Sequence, residues 1–143
     1  MSKQKRSQAR QYALQAIYQW QITGQSIGIV ESQFLENEAL AQADVALFLD
    51  LIRGVAAKLP ELDTALTAFM TRELEQIDFV ERAALRIGAY ELMQHPETPY
   101  RIVINEAVEL TKIFGAEQGH RYVNAVLDKL ARQVRSDEIS QRA

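Results

Sequence analysis

A chain of 143 residues is long enough for one domain with a real hydrophobic core. Apolar residues make up 48% and charged residues 24%, as in an ordinary soluble globular protein, and a net charge of −3 gives no global pull towards nucleic acid. Cysteine is absent, which excludes disulfides, thiolate metal sites and a cysteine nucleophile and fits a cytoplasmic location. The N-terminus has no apolar run of the signal-peptide kind. The longest apolar stretch, VALFLDLIRGVAA, is interrupted by Asp50 and Arg53 and falls short of the roughly 20 residues a bilayer span needs, so no membrane contact is expected.

Charge is unevenly placed. Lys3, Lys5, Arg6 and Arg10 stand in the first ten residues with no acid among them. From Gln11 to Ile52 there is no lysine or arginine, while Glu31, Glu36, Glu38, Asp44 and Asp50 accumulate. A basic arm on an acidic body is a candidate nucleic-acid contact, and equally a solvated tail.

Helical periodicity begins at once. Ala9, Tyr12, Ala13, Ala16, Ile17 and Trp20 form an apolar stripe that ends at Thr23 and Gly24. Gly28 falls in the next connection, and Ile29 to Leu40 reads as a second helix. Asp44 is an N-cap for a third, with Val45, Phe48, Leu49, Ile52 and Val55 on its buried face and Gly54 marking a close helix crossing. Pro60 suits the first turn of a fourth helix, Glu61 to Met70, carrying Leu62, Leu66 and Phe69. Asp78 and Glu81 have capping-box spacing and open a fifth helix that runs to about Met93 and is apolar over most of its girth, as in a helix enclosed by others. His95, Pro96 and Pro99 form a loop.

The last two helices form a hairpin. Val103, Ala107, Leu110 and Phe114 share one face, as do Val123, Leu127, Leu130 and Val134. Gly115 to Gly119 closes the hairpin, with Gly115 where a left-handed cap is expected. The polar stretch after Val134 reads as frayed. The fold class is therefore all-α: seven helices, no sheet, one domain over residues 1–143, with sub-bundles 1–59 and 60–143 meeting at Leu59-Pro60 and flexible ends at 1–8 and 135–143.

Little chemistry is available. His95 and His120 belong to no ligand array, and the loop at Gly115 lacks the lysine of a phosphate loop. No serine sits in a nucleophile elbow. Glu106 and Glu109 lie on a helix face with Lys112 that reads as salt-bridged. No catalytic, metal or cofactor site is expected, and surface recognition remains. Arg101, His120, Arg121, Lys129 and Arg132 add cations on the hairpin, and Tyr122 directly after His120-Arg121 has the aromatic-plus-cation character of a single-stranded RNA platform. An aromatic at a helix start also serves as core, and both readings stand on the residues alone.

The segments ARQYALQAIYQWQ, VERAALRIGAYEL and PYRIVINEAVELTKIFGAEQGHRYVNAVLDKL closely resemble the NusB family of bacterial transcription antitermination factors over nearly the whole chain. The resemblance implies a seven-helix fold of two perpendicular sub-bundles and no enzymatic activity. It implies pairing with the small-subunit ribosomal protein NusE, binding of boxA-type single-stranded RNA, and assembly with RNA polymerase and other Nus factors. Carried over by position, RNA would be met by Lys5, Arg6, Arg10, Phe69, Arg101, Gln118 and Tyr122, and the protein partner by Tyr18, Glu75 and Glu81. The arm is less arginine-dense than in some relatives, and Gln118-Gly119 stands where Asp-Ser is expected. Some relatives form homodimers. Related domains also precede RNA cytosine methyltransferases, a reading that needs a Rossmann-type domain and a cysteine nucleophile; without cysteine the expectation is the binding module alone. A third reading, a protein-only helical scaffold, predicts no salt-dependent RNA binding.

Overall fold

The computed structural model describes residues 2–142 and is helical, with no strand among them. The α-helices are α1 (Lys3–Thr23), α2 (Ile27–Leu35), α3 (Val45–Ala57), α4 (Leu59–Thr67), α5 (Phe79–Gln94), α6 (Tyr100–Phe114), α7 (Gly119–Val134) and α8 (Ser136–Arg142). Short 3₁₀ turns occupy Glu38–Gln42 and Leu74–Gln76. The starts follow side-chain caps. Ser2 accepts the Lys5 N–H at 3.2 Å, Asp44 accepts Leu47 N–H at 3.1 Å, and Asp78 accepts Glu81 N–H at 2.9 Å.

The enclosed helix is α5, which packs against α1, α3, α4, α6 and α7 and is buried continuously from Ala83 to Leu92. A single buried cluster extends from Ala9 in α1 to Ala131 in α7, so the bend at Leu59-Pro60 lies within one core. Gly54 does mark a close crossing: a Cβ there would fall inside the Tyr90 ring of α5.

Several boundaries differ from the sequence reading. Eight α-helices replace seven, because the tail after Val134 continues as α8 and is not frayed. Its anchor is Arg135, only 5% exposed, whose guanidinium donates to the carbonyls of Leu92 at 2.8 Å, His95 at 2.7 Å and Thr98 at 2.9 Å and to the Glu138 carboxylate at 2.7 Å. At the other end the basic arm is the first turns of α1, with Met1 outside the described residues. The expected helix from Ile29 to Leu40 is split, because the Asn37 side chain accepts the Ala39 N–H at 3.0 Å and starts a separate turn; Gly28 lies inside α2. Phe69 and Met70 lie past the end of α4. Gly115 is extended, with φ −103°, and the positive φ among the described residues is at Gly24, 71°. Glycine is needed at position 115 for space, since a Cβ would lie 2.8 Å from the Thr111 carbonyl oxygen. Val134, expected in the hairpin stripe, is exposed.

Candidate nucleic-acid and partner interface

Lys5 and Arg6 are exposed on the first turns of α1. Lys3, Arg6 and Ser7 line a surface groove against α6, whose far wall includes Ile102, Asn105 and Glu106. Ser7 donates to Glu106 at 2.7 Å, which fixes the arm to α6. Arg101, one residue before Ile102, is exposed, and its Nε donates to the Tyr100 hydroxyl at 3.1 Å. The groove between the arm and α6 thus sets Lys3 and Arg6 against Glu106 and Glu109, with Arg101 exposed at the start of α6.

Arg10 lines the same groove from beneath and is not exposed with Lys5 and Arg6. It is 3% exposed and grips Glu91 of α5 with two hydrogen bonds, Nε to Oε2 at 2.9 Å and Nη2 to Oε1 at 2.8 Å. A third contact reaches Glu106 at 3.5 Å. Burial disfavours the charged guanidinium, but the hydrogen bonds and charge of Glu91 and Glu106 outweigh it and raise the pKa. Arg10 joins α1, α5 and α6 from the inside.

A second group assembles where the α4–α5 link meets α7. Tyr122 is half-buried, and its hydroxyl accepts the backbone N–H groups of Thr71 at 3.2 Å and Arg72 at 3.4 Å. Burial pushes the Tyr122 hydroxyl pKa up, yet these donors favour the phenolate more strongly, and the pKa falls below the usual tyrosine value. Phe69, two residues before Thr71, is half-buried against the core. Gln118 is exposed at the start of α7, and the following Gly119 is pressed onto Glu81, where a Cβ would lie 2.9 Å from the carboxyl carbon. Phe69, Gln118 and Tyr122 thus fall in one neighbourhood, apart from the arm's contacts with α6.

The proposed partner residues divide differently. Tyr18 is 39% exposed and meets Phe79 edge to face, with ring centroids 6.3 Å apart. It borders an apolar groove with Ile22, Phe34, Val80 and Phe114. Glu75 is exposed on the second 3₁₀ turn. Glu81 faces inward, 6% exposed beneath Gly119. Its burial and its hydrogen bond with Asp78 raise its pKa to about 7, against the opposing pull of Arg72. The neighbouring residues that no spacing in the sequence singles out are Phe79 and Ile22, exposed apolar side chains of α5 and α1, and Arg72, between α4 and the second 3₁₀ turn. Among the described residues no cluster of three or more acidic, histidine or cysteine side chains could hold a metal, and His120 contacts only the Glu117 carbonyl at 3.1 Å.

The NusB family model matches residues 7–132. The chain belongs to the NusB family. It is 49% identical to transcription antitermination protein NusB of Alcanivorax borkumensis over 96% of this chain and 91% of that protein. The Nitrosococcus oceani protein of the same name is 50% identical over 97% of this chain and 93% of that one. In fold it resembles a NusB chain solved with NusE and double-stranded RNA, at a TM-score of 0.80 and 23% identity, covering 92% of this chain and 99% of the other. Residues 7–132 hold the Tyr122 neighbourhood, Arg101 and α1 from Ser7 onward, while Lys3, Lys5 and Arg6 lie before the matched range.

Proposed function

We propose that this NusB-family protein is a transcription antitermination factor that binds boxA-type single-stranded RNA together with the ribosomal protein NusE, within a cytoplasmic assembly on RNA polymerase with other Nus factors. The observation that carries the reading is the family match over residues 7–132, joined to exposed cations at the starts of α1 and α6 on an otherwise acidic chain. Lys5, Arg6 and Arg101 supply phosphate-directed charge there, and Phe69, Gln118 and Tyr122 supply base-directed groups. Arg10 is assigned to the core instead. Tyr18 and Glu75 are the partner contacts; Glu81 acts from beneath the surface. An acidic body suits a basic ribosomal protein, and shared surface would make RNA binding cooperative.

Fluorescence anisotropy with boxA RNA and a scrambled control, with and without NusE, tests this. Tighter binding of boxA, increased by NusE and weakened by salt, is expected. Equal affinity with and without NusE overturns the cooperative picture, and absence of salt-dependent RNA binding leaves a protein-only scaffold.

A further inference from the structure

Most arginines packed on the body have their N–H forks committed. Arg10 is held by Glu91, Arg86 by Asp63 and Gln21, Arg82 through Nη2 by the carbonyls of Glu75 and Ile77 with its buried Nε unpaired among the described residues, and Arg135 by backbone carbonyls. Arg72 differs. Its side chain is 48% exposed, its Cζ lies 4.5 Å from the centroid of the Tyr122 ring, and it favours the Tyr122 phenolate by hydrogen bonding without being clamped by a backbone carbonyl of the described residues. The nearest acid, Glu81, stands 3.7 Å from Nη2, close enough to align the guanidinium but beyond hydrogen-bond distance.

The layers are ordered from inside to outside. Glu81 is buried, Tyr122 is half-buried with its hydroxyl fixed by the Thr71 and Arg72 N–H groups, and Arg72 covers a face of the ring. A nucleobase approaching that covered face meets the guanidinium and not the tyrosine. A guanidinium plane stacks bases as an aromatic ring does, and its free edge offers paired N–H donors to a phosphate.

We propose that Arg72 is an RNA-contacting residue whose guanidinium, seated on Tyr122 and aligned by Glu81, forms the outer stacking surface for single-stranded RNA. Tyr122 is the support beneath it, and Glu81 is a positioning residue. The inference rests on the RNA-binding reading above and deepens it.

The test is anisotropy of a labelled boxA-type RNA against the full chain over a salt series, for wild type, Arg72→Ala, Arg72→Lys and Glu81→Gln, with circular dichroism confirming that each is folded. Arg72→Ala is expected to weaken binding about 10-fold and to reduce the slope of log affinity against log salt by about 0.7, the loss of one phosphate contact to a single strand. Arg72→Lys keeps the charge and therefore the slope, but loses most of the affinity because it has no plane. Glu81→Gln weakens binding less than Arg72→Ala and leaves the slope unchanged. Wild-type affinity and slope in folded Arg72→Ala overturns the inference alone, as does full affinity in Arg72→Lys for the stacking role. Failure of the wild-type chain to bind, with or without NusE, overturns the RNA-binding reading and this inference with it.

Discussion

Arg10 and Glu91 form a two-pronged ion pair in the interior, with donor–acceptor distances of 2.9 and 2.8 Å, joining the basic start of α1 to the enclosed helix α5. Neither side chain is more than 4% exposed. The pair sets where the arm stops being surface: Lys5 and Arg6 stay outside, and one turn later the same kind of residue is core. Ser7 and Glu106 continue the connection to α6.

Removing one partner leaves a buried charge without its counter-ion. Arg10→Ala is expected to destabilise the protein by about 3–5 kcal/mol in urea unfolding, and Glu91→Ala by a similar amount. The double replacement Arg10→Met with Glu91→Leu should recover much of that loss, because both members of the buried pair are removed together and Glu106 keeps the Ser7 hydroxyl as a donor. RNA affinity of the folded double variant should equal that of the wild type. A selective loss of affinity at full stability would return Arg10 to the RNA surface.

Arg135 has the corresponding role at the opposite end. Its guanidinium satisfies carbonyls at the C-terminal end of α5, while Glu138, which pairs with it, accepts the N–H of Tyr100 at 3.0 Å and so caps the start of α6. Arg135→Ala should lower stability by about 2–4 kcal/mol, since several carbonyls and a carboxylate lose their donor together. Truncation after Val134 should do the same. Both are read by the urea midpoint, and a change below 0.5 kcal/mol would mean that α8 is dispensable.

The helices of this fold were legible where periodicity and caps acted locally. Asp44, Asp78 and the α6 and α7 stripes declare themselves because a cap or an i, i+4 spacing involves neighbours in sequence. Long-range partnerships did not. Nothing in the RSDEISQRA tail announces that Arg135 meets carbonyls some forty residues earlier, so its polarity looks like fraying. Arg10 looks like its neighbours Lys5 and Arg6 because charge is visible in sequence and burial is not. The same holds at the candidate site. Tyr122 was visible as an aromatic beside cations, but the cation that covers it, Arg72, comes from a segment some fifty residues away.

Glu81 links pH to stability. Its pKa in the folded chain is about 7, raised from the ordinary 4.5 by burial and by Asp78. A group raised on folding contributes stability fully below its unfolded value and loses it as pH rises through the folded value. Wild-type stability should therefore decline between about pH 4.5 and 7 by an amount on the order of 2 kcal/mol from this group. Glu81→Gln cannot ionise and should flatten that part of the profile, gaining relative to the wild type at pH 8. Parallel profiles in urea melts would show that Glu81 keeps its ordinary acidity.

His95 gives a second, separable pH dependence. It follows the last turn of α5, and its ring nitrogens contact Asp50 of α3 at 2.5 Å and Glu97 at 2.6 Å. Asp50 also accepts the Tyr90 hydroxyl at 2.8 Å, so one carboxylate ties α3 to α5 twice, beside the Gly54 crossing. Burial alone would lower the imidazole pKa, but hydrogen bonds and charge from Glu97 and Asp50 outweigh it and hold it above 6.5. The sign matches that of Glu81, whereas the window lies higher. The stabilisation is complete below pH 6.5 and disappears as pH rises through the elevated value. The cluster is partly solvent-exposed, so solvent screening reduces its effect. In a Glu81→Gln background the residual decline above pH 6.5 should belong to His95, and adding His95→Gln should remove it. The histidine ring resonances should titrate above 6.5 in the wild type and return towards the ordinary value in Asp50→Asn. A His95 that titrates at or below 6.5 with both carboxylates intact would show that the bridge does not hold the charged imidazolium.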